Sequence, residues 1–108
     1  MTTFVLIESR DPFSSDQVAA NCSLAGELAA SGHTAVLYLV ENGVFAARAG
    51  VQHTRLAEAA SRGVQILVDD FSLRERGIGS AQLAPQMQTA RLDAIIDHML
   101  QGARVLWH

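Results

Sequence analysis

Three short apolar runs limit what this chain can fold into: Phe4-Val5-Leu6-Ile7, Ala35-Val36-Leu37-Tyr38-Leu39-Val40 and Val64-Gln65-Ile66-Leu67-Val68. Nearly continuous runs of branched residues are how strands read when both of their faces are covered, which is the situation in a parallel sheet. Parallel neighbours need crossovers long enough to hold a helix. The segments between the runs provide them. Val18, Cys22, Ala25 and Leu28 recur at helical spacing before Gly32, and His53 to Arg62 turns Leu56, Ala59 and Ala60 inward before Gly63. A last helix carries Leu92, Ile95, Ile96, Met99 and Leu100 on its inward face and Asp93, Asp97, His98 and Gln101 on the outer one, and Arg104-Val105-Leu106-Trp107 follows Gly102 as a further strand. The expected fold is α/β: a three-layer α/β/α sandwich with a mostly parallel sheet of about five strands.

With 108 residues and 49% hydrophobic content, the chain suits one domain spanning 1–108. Ile78 to Gln88 has no clear assignment, because Pro85 opposes both a central strand and an unbroken helix. Ile78, Leu83 and Met87 are therefore unplaced apolar residues. Together with Trp107 they point to a subunit interface, or else they cover the sheet edge of their own domain.

Net charge is −3 with both signs scattered, which offers no basic stripe for nucleic acid and no polybasic segment for a membrane. No stretch approaches the roughly 20 apolar residues of a membrane span. Met1 to Glu8 lacks the basic region and long apolar run of a signal peptide, so a cytoplasmic location is expected. All eight basic residues are arginine, which removes Schiff-base, P-loop and general-base lysine chemistry. Gly77-Ile78-Gly79 lacks the third glycine of a dinucleotide fingerprint, Gln82 standing in its place, and it follows a helical turn instead of a strand. Neither a Gly-x-Ser-x-Gly elbow nor a His-Glu-x-x-His pair occurs. The histidines 33, 53, 98 and 108 lack ligand spacing and read as surface groups, with His53 placed to approach the strand ends. Cys22, the one cysteine, falls on the apolar face of the first helix and reads as a small core hydrophobe.

In an open parallel sheet, ligands bind beyond the carboxyl ends of the strands. Those ends carry Glu8 to Asp16, Glu41-Asn42 and the loop Asp69-Asp70-Phe71-Ser72. Glu8, Asp11, Glu41, Asp69 and Asp70 read as solvated carboxylates on this rim, and no resident metal or cofactor is expected. Ser14, Ser15 or Asp16 caps the first helix. The ligand-pocket candidates are Asp69, Asp70, Ser72, Arg74, Phe13, Ser14, Ser15 and Glu41. An enzyme using Asp69 or Asp70 as general base beside Arg74 or Arg76 is a further, less favoured reading.

The strand, Asp-Pro-Phe-Ser-Ser-Asp loop, long helix, second strand and Glu-Asn-Gly-Val segment resemble the DsrE/DsrF/YchN-like sulfur-relay family. Arg62 to Val68, Arg76-Gly77-Ile78 and Ala103 to Leu106 extend the likeness over nearly the whole chain. The resemblance implies a DsrE-like fold and assembly into homo-oligomers or into hetero-oligomers with DsrE-like relatives. In the family, the turn after the third strand carries one or two cysteines that receive and pass on sulfane sulfur. By the resemblance these positions fall on Asp69 and Ser72, and neither can hold sulfane sulfur, since the transfer needs a polarizable thiolate. Cys22 matches neither position. The resemblance thus implies a cysteine-less, non-catalytic interaction or structural subunit; a binding domain for a small molecule, anion or metal is the alternative.

Overall fold

A computed structural model describes residues 2–12, 16–50 and 54–107 and places the three apolar runs side by side in an all-parallel sheet. The strands are β1 (Thr3–Glu8), β2 (Thr34–Leu39), β3 (Gln65–Asp69), β4 (Gln88–Ala90) and β5 (Arg104–Trp107), in the order β4-β3-β2-β1-β5. Val5 lies opposite Val36 on one side and Val105 on the other. The side-chain period of two then sorts each strand between two cores. Leu6, Leu37, Leu39, Ile66 and Val68 pack against α1 (Gln17–Ala30) and α2 (Thr54–Ser61), through Val18, Cys22, Ala25, Leu56 and Ala59. Val5, Ile7, Val36, Tyr38 and Leu67 lie on the other face, beneath α4 (Leu92–Leu100).

The three-layer parallel sandwich agrees with the expected fold, and the departures from expectation are local. The unassigned segment contains β4, a three-residue edge strand beginning three residues after Pro85, so the proline needs no ladder partner. Residues 82–84 are pinned to 47–49 by Ala49 N–H donating to the Gln82 carbonyl at 2.6 Å and Ala84 N–H donating to the Ala47 carbonyl at 2.9 Å. That attachment buries Ile78 and packs Leu83 and Met87 on the α1/α2 core. These three residues pack on the core of their own domain, Ile78 buried and Leu83 and Met87 partly so. Trp107, 64% exposed, remains uncovered.

The last helix departs most. Of its five apolar residues only Ile95 is buried, at 1% exposure; Leu92, Ile96, Met99 and Leu100 are exposed, Leu100 to 81%. The helix meets the sheet through Ile95 and the half-buried Ala94 and His98, so His98 is not on the outer face as expected, and the rest of the apolar stripe faces outward. Two further expectations change. Glu8 is fully buried rather than solvated, with Asn21 Nδ2 donating to Oε1 and Arg10 N–H to Oε2, both at 2.9 Å. His33 is half-buried, its Nδ1 accepting from Thr2 N–H and its ring meeting Phe4 edge-on at 5.3 Å. The proposed caps Ser14 and Ser15 lie outside the described residues, as do His53 and His108, and Asp16 stands at the start of α1 with no side-chain cap hydrogen bond.

This asymmetry along α4 sets a mutational contrast. Ile95→Ala removes the helix's deepest anchor and should destabilise by about 2–5 kcal/mol, whereas Leu100→Ala should stay within about 0.5 kcal/mol. Denaturant midpoints of the two variants check this; equal losses would mean that α4 buries its whole stripe.

Candidate functional site

The carboxyl ends of β2, β3 and β4 and the first turn of α4 surround a cleft of about 610 Å³. It opens on the sheet face that α4 covers, because Tyr38 and Asp69 project there with Leu67. At its floor is Asp69, the N-cap of the short helix α3 (Asp70–Glu75). One carboxylate oxygen accepts the Tyr38 hydroxyl from the neighbouring strand. The other accepts Ser72 N–H at 2.9 Å and Ser72 Oγ–H at 2.7 Å. An N-cap aspartate forms because the first N–H groups of a helix lack partners within the helix.

Ser72 extends the network to β2. Its Oγ accepts the backbone N–H of Glu41 at 2.9 Å, and Glu41 has a left-handed backbone with φ of 53°. That conformation is costly for a residue with a Cβ and is held here by hydrogen bonds on both sides of it. Gly43, two residues on, donates its N–H to the Val40 carbonyl at 3.0 Å. A Cβ at Gly43 would collide with the Glu8 carbonyl oxygen, so the chain passes here only as glycine. Arg76 closes the far side, donating to the Ser72 carbonyl at 3.2 Å and to Asn42 Oδ1 at 3.0 and 3.2 Å, and lying 5.9 Å from the Phe45 ring centroid.

Among the candidates drawn from the sequence, Asp69, Asp70, Ser72, Arg74 and Glu41 meet in this cleft. Phe13, Ser14 and Ser15 lie outside the described residues. Asp69 and Ser72 are buried rather than solvated. Tyr38, Val40, Phe71, Glu75, Arg76, Arg91, Leu92 and Asp93 also line the cleft. Tyr38 carried a signal, being the one residue with a hydrogen-bonding side chain in the apolar run Ala35 to Val40, which has to find a partner once buried. Arg91 to Asp93 carried none, since only the fold brings the start of α4 beside β3.

Burial of Tyr38, and then its bond to Asp69, pushes the phenol well above its ordinary range, so it stays a neutral donor. Cys22 is away from the cleft, beside a separate small cavity between α1 and α2. Burial first, then Glu8, pushes its thiol up to about 12, which leaves little thiolate at neutral pH. Among the described residues no group of three or more His, Cys, Asp or Glu side chains is arranged to hold a metal ion. No helix among them is long and apolar enough to cross a membrane.

An all-parallel α/β/α sandwich with its cleft at the end of the third strand defines the structural class. Within that class the chain belongs to the DsrE/DsrF-like family, whose sequence pattern matches residues 2–108. Solved structures agree on the fold. The ychN protein from E. coli is similar over 100% of both chains, with a TM-score of 0.89 at 20% identity. The protein MTH1491 from Methanobacterium thermoautotrophicum, described as of unknown function, also covers 100% of both, with a TM-score of 0.82 at 16% identity. BT1422 from Bacteroides thetaiotaomicron, likewise of unknown function, reaches a TM-score of 0.79 at 12% identity, over 98% of this chain and 94% of that one. Among curated protein sequences none matches.

The Asp69 network makes a double-mutant prediction. Asp69→Ala removes the cap of α3 and leaves the buried Tyr38 hydroxyl without its acceptor, for a loss of about 2–4 kcal/mol. Tyr38→Phe should cost less in the Asp69→Ala background than in the native chain, with a coupling of about 0.5–3 kcal/mol in equilibrium unfolding. Additive losses would show the two groups to be independent.

Proposed function

We propose that this protein is a non-catalytic interaction or structural subunit of an oligomer, linked to sulfur metabolism through its family, in which the sulfur-carrying position has become a strut. The observation that supports this is the state of Asp69. The family resemblance puts the sulfur acceptor there, and here that residue is a carboxylate with both oxygens engaged, bracing β2, β3 and α3. It cannot attack a persulfide or leave from one. Cys22, buried and held as a thiol, does not replace it. Among the described residues, seven of the eight exposed large apolar side chains are Phe71 beside the cleft, Leu92, Ile96, Met99 and Leu100 on α4, and Leu106 and Trp107 on β5. Apolar side chains left exposed in such number are a feature of interaction surfaces.

A second reading rests on the cleft itself. Its volume of about 610 Å³ falls within the range of small-molecule sites, and it combines the exposed Phe71 with Arg74 and Arg91. Divalent metals, nucleotides and small anions, screened by thermal shift, test it. A ligand at about 100 times its Kd should stabilise the protein by about 2.7 kcal/mol, and a screen in which none raises Tm removes this reading.

The first reading is tested by incubating the purified protein with a persulfide donor, weighing it intact, and measuring its mass in solution by light scattering. The native chain should gain no sulfur and should exceed the 11.6 kDa of a single chain. In Asp69→Cys, a thiolate at the start of α3 should attack the donor's outer sulfur, release the donor thiolate and gain about 32 Da, one sulfur atom. Stable sulfur addition to the native chain that vanishes in Cys22→Ser would sink the reading.

A further inference from the structure

The two edges of the sheet are unlike. On one side, β4 is three residues long, polar (Gln88, Thr89, Ala90) and close to Pro85, and Gln65 Nε2 donates to Gln88 Oε1 at 3.2 Å beside it. Shortness and polarity are how proteins keep an edge from pairing with another chain. On the other side, β5 is bonded only to β1 among the described residues, so its outer row of N–H and C=O groups faces away from the sheet. Its sequence, Arg-Val-Leu-Trp, has no proline and no lysine, and Leu106 and Trp107 are both exposed. Val105 packs beneath α4, and Trp107, two residues on, faces the same side of the sheet.

We propose that the outer edge of β5 pairs antiparallel with β5 of a second copy, centred on Leu106, so that the two five-stranded sheets become one. The inference rests on the reading of the chain as an interaction subunit and names its surface. The choice of a second copy follows from self-complementarity. A two-fold axis perpendicular to the sheet must pair residues on the same face, so the axis passes through a residue position and not between two. Centred on Leu106, the pairing sets Leu106 against Leu106 on one face and Val105 against Trp107 twice on the other. Cross-strand aromatic and branched pairs of this kind stabilise a sheet. The two Arg104 side chains fall at opposite ends of the seam, four positions out of register with each other and each opposite position 108 of the other copy. Centred on Val105 instead, the pairing would set Arg104 against Leu106 and Ala103 against Trp107, matching apolar groups less well. Met99 and Leu100, exposed at the end of α4, come just before the Gly102 turn into β5.

The test is disulfide trapping in the intact chain. Residues directly opposed across an antiparallel pair have Cα atoms about 4.5–5.5 Å apart, within the roughly 4.4–6.8 Å span of a disulfide. Under mild oxidation Leu106→Cys should form a covalent dimer in high yield, and Arg104→Cys, whose copies lie four positions out of register, should form almost none. Cys22 is buried and stays out of the reaction. Leu106→Lys, a charge on a side chain already 36% exposed, should reduce the light-scattering mass toward 11.6 kDa while the circular dichroism of the fold is retained. A cross-link through Val105→Cys in place of Leu106→Cys would overturn the register. Oligomers that neither cross-link at Leu106 nor dissociate with Leu106→Lys would overturn the β5 seam while leaving the subunit reading standing. A native chain of 11.6 kDa would overturn both the seam and self-association.

Discussion

A parallel ladder has to be buried on both faces, and in this protein the two faces are covered unequally. One face lies under α1, α2 and the segments that follow them, and holds the larger core around Leu37, Leu39, Ile66 and Val68. The other lies under α4, nine residues long, with Ile95 as its one buried side chain. Much else follows from this imbalance. The cleft opens where α4 begins, since a single helix crossing from β4 to β5 leaves the strand ends of β2 and β3 open. Trp107 is exposed because α4 does not extend over the carboxyl end of β5.

Asp69 works within that opening. A single carboxylate satisfies a hydroxyl from β2, caps α3 and, through Ser72, reaches the strained backbone of Glu41. A cysteine could not do the same, because one sulfur atom, a weak acceptor as a thiol, cannot replace two carboxylate oxygens that take the Tyr38 hydroxyl on one side and the Ser72 N–H and hydroxyl on the other. The two roles therefore exclude each other in physical terms. A sulfur carrier needs its side chain free to attack and be attacked; this residue is immobilised by three hydrogen bonds. Arg76, clamped on Asn42 and the Ser72 carbonyl, holds the same segment from the other end.

Much of the fold was legible because parallel strands and their crossover helices leave distinct periods, and the runs at Phe4, Ala35 and Val64 required no tertiary information to read. The edge strand β4 was not, since Gln88-Thr89-Ala90 has no apolar period and is held by its neighbour β3. The rim was legible in position and not in burial. Glu8 and Asp69 both end strands, where a carboxylate is ordinarily solvated, and each is buried because a partner from a distant segment, Asn21 or Tyr38, arrives with a donor. Sequence spacing contains no record of that arrival. Ile78, Leu83 and Met87 show the reverse: they lacked a place in the chain's pattern and found one in the core through the bonds joining 82–84 to 47–49.

The stripe on α4 shows why the period of a helix and its burial are separate facts. Leu92, Ile95, Ile96, Met99 and Leu100 form one apolar face by spacing, yet a helix lying on a sheet needs only a narrow line of contact, and Ile95 provides it. A stripe wider than its own sheet can use is apolar surface left for something else. Leu92 belongs both to this stripe and to the lining of the cleft. Whatever covers the outer face of α4 therefore touches the rim of the cleft as well, so the cleft over Asp69 and the open apolar flank meet at one residue.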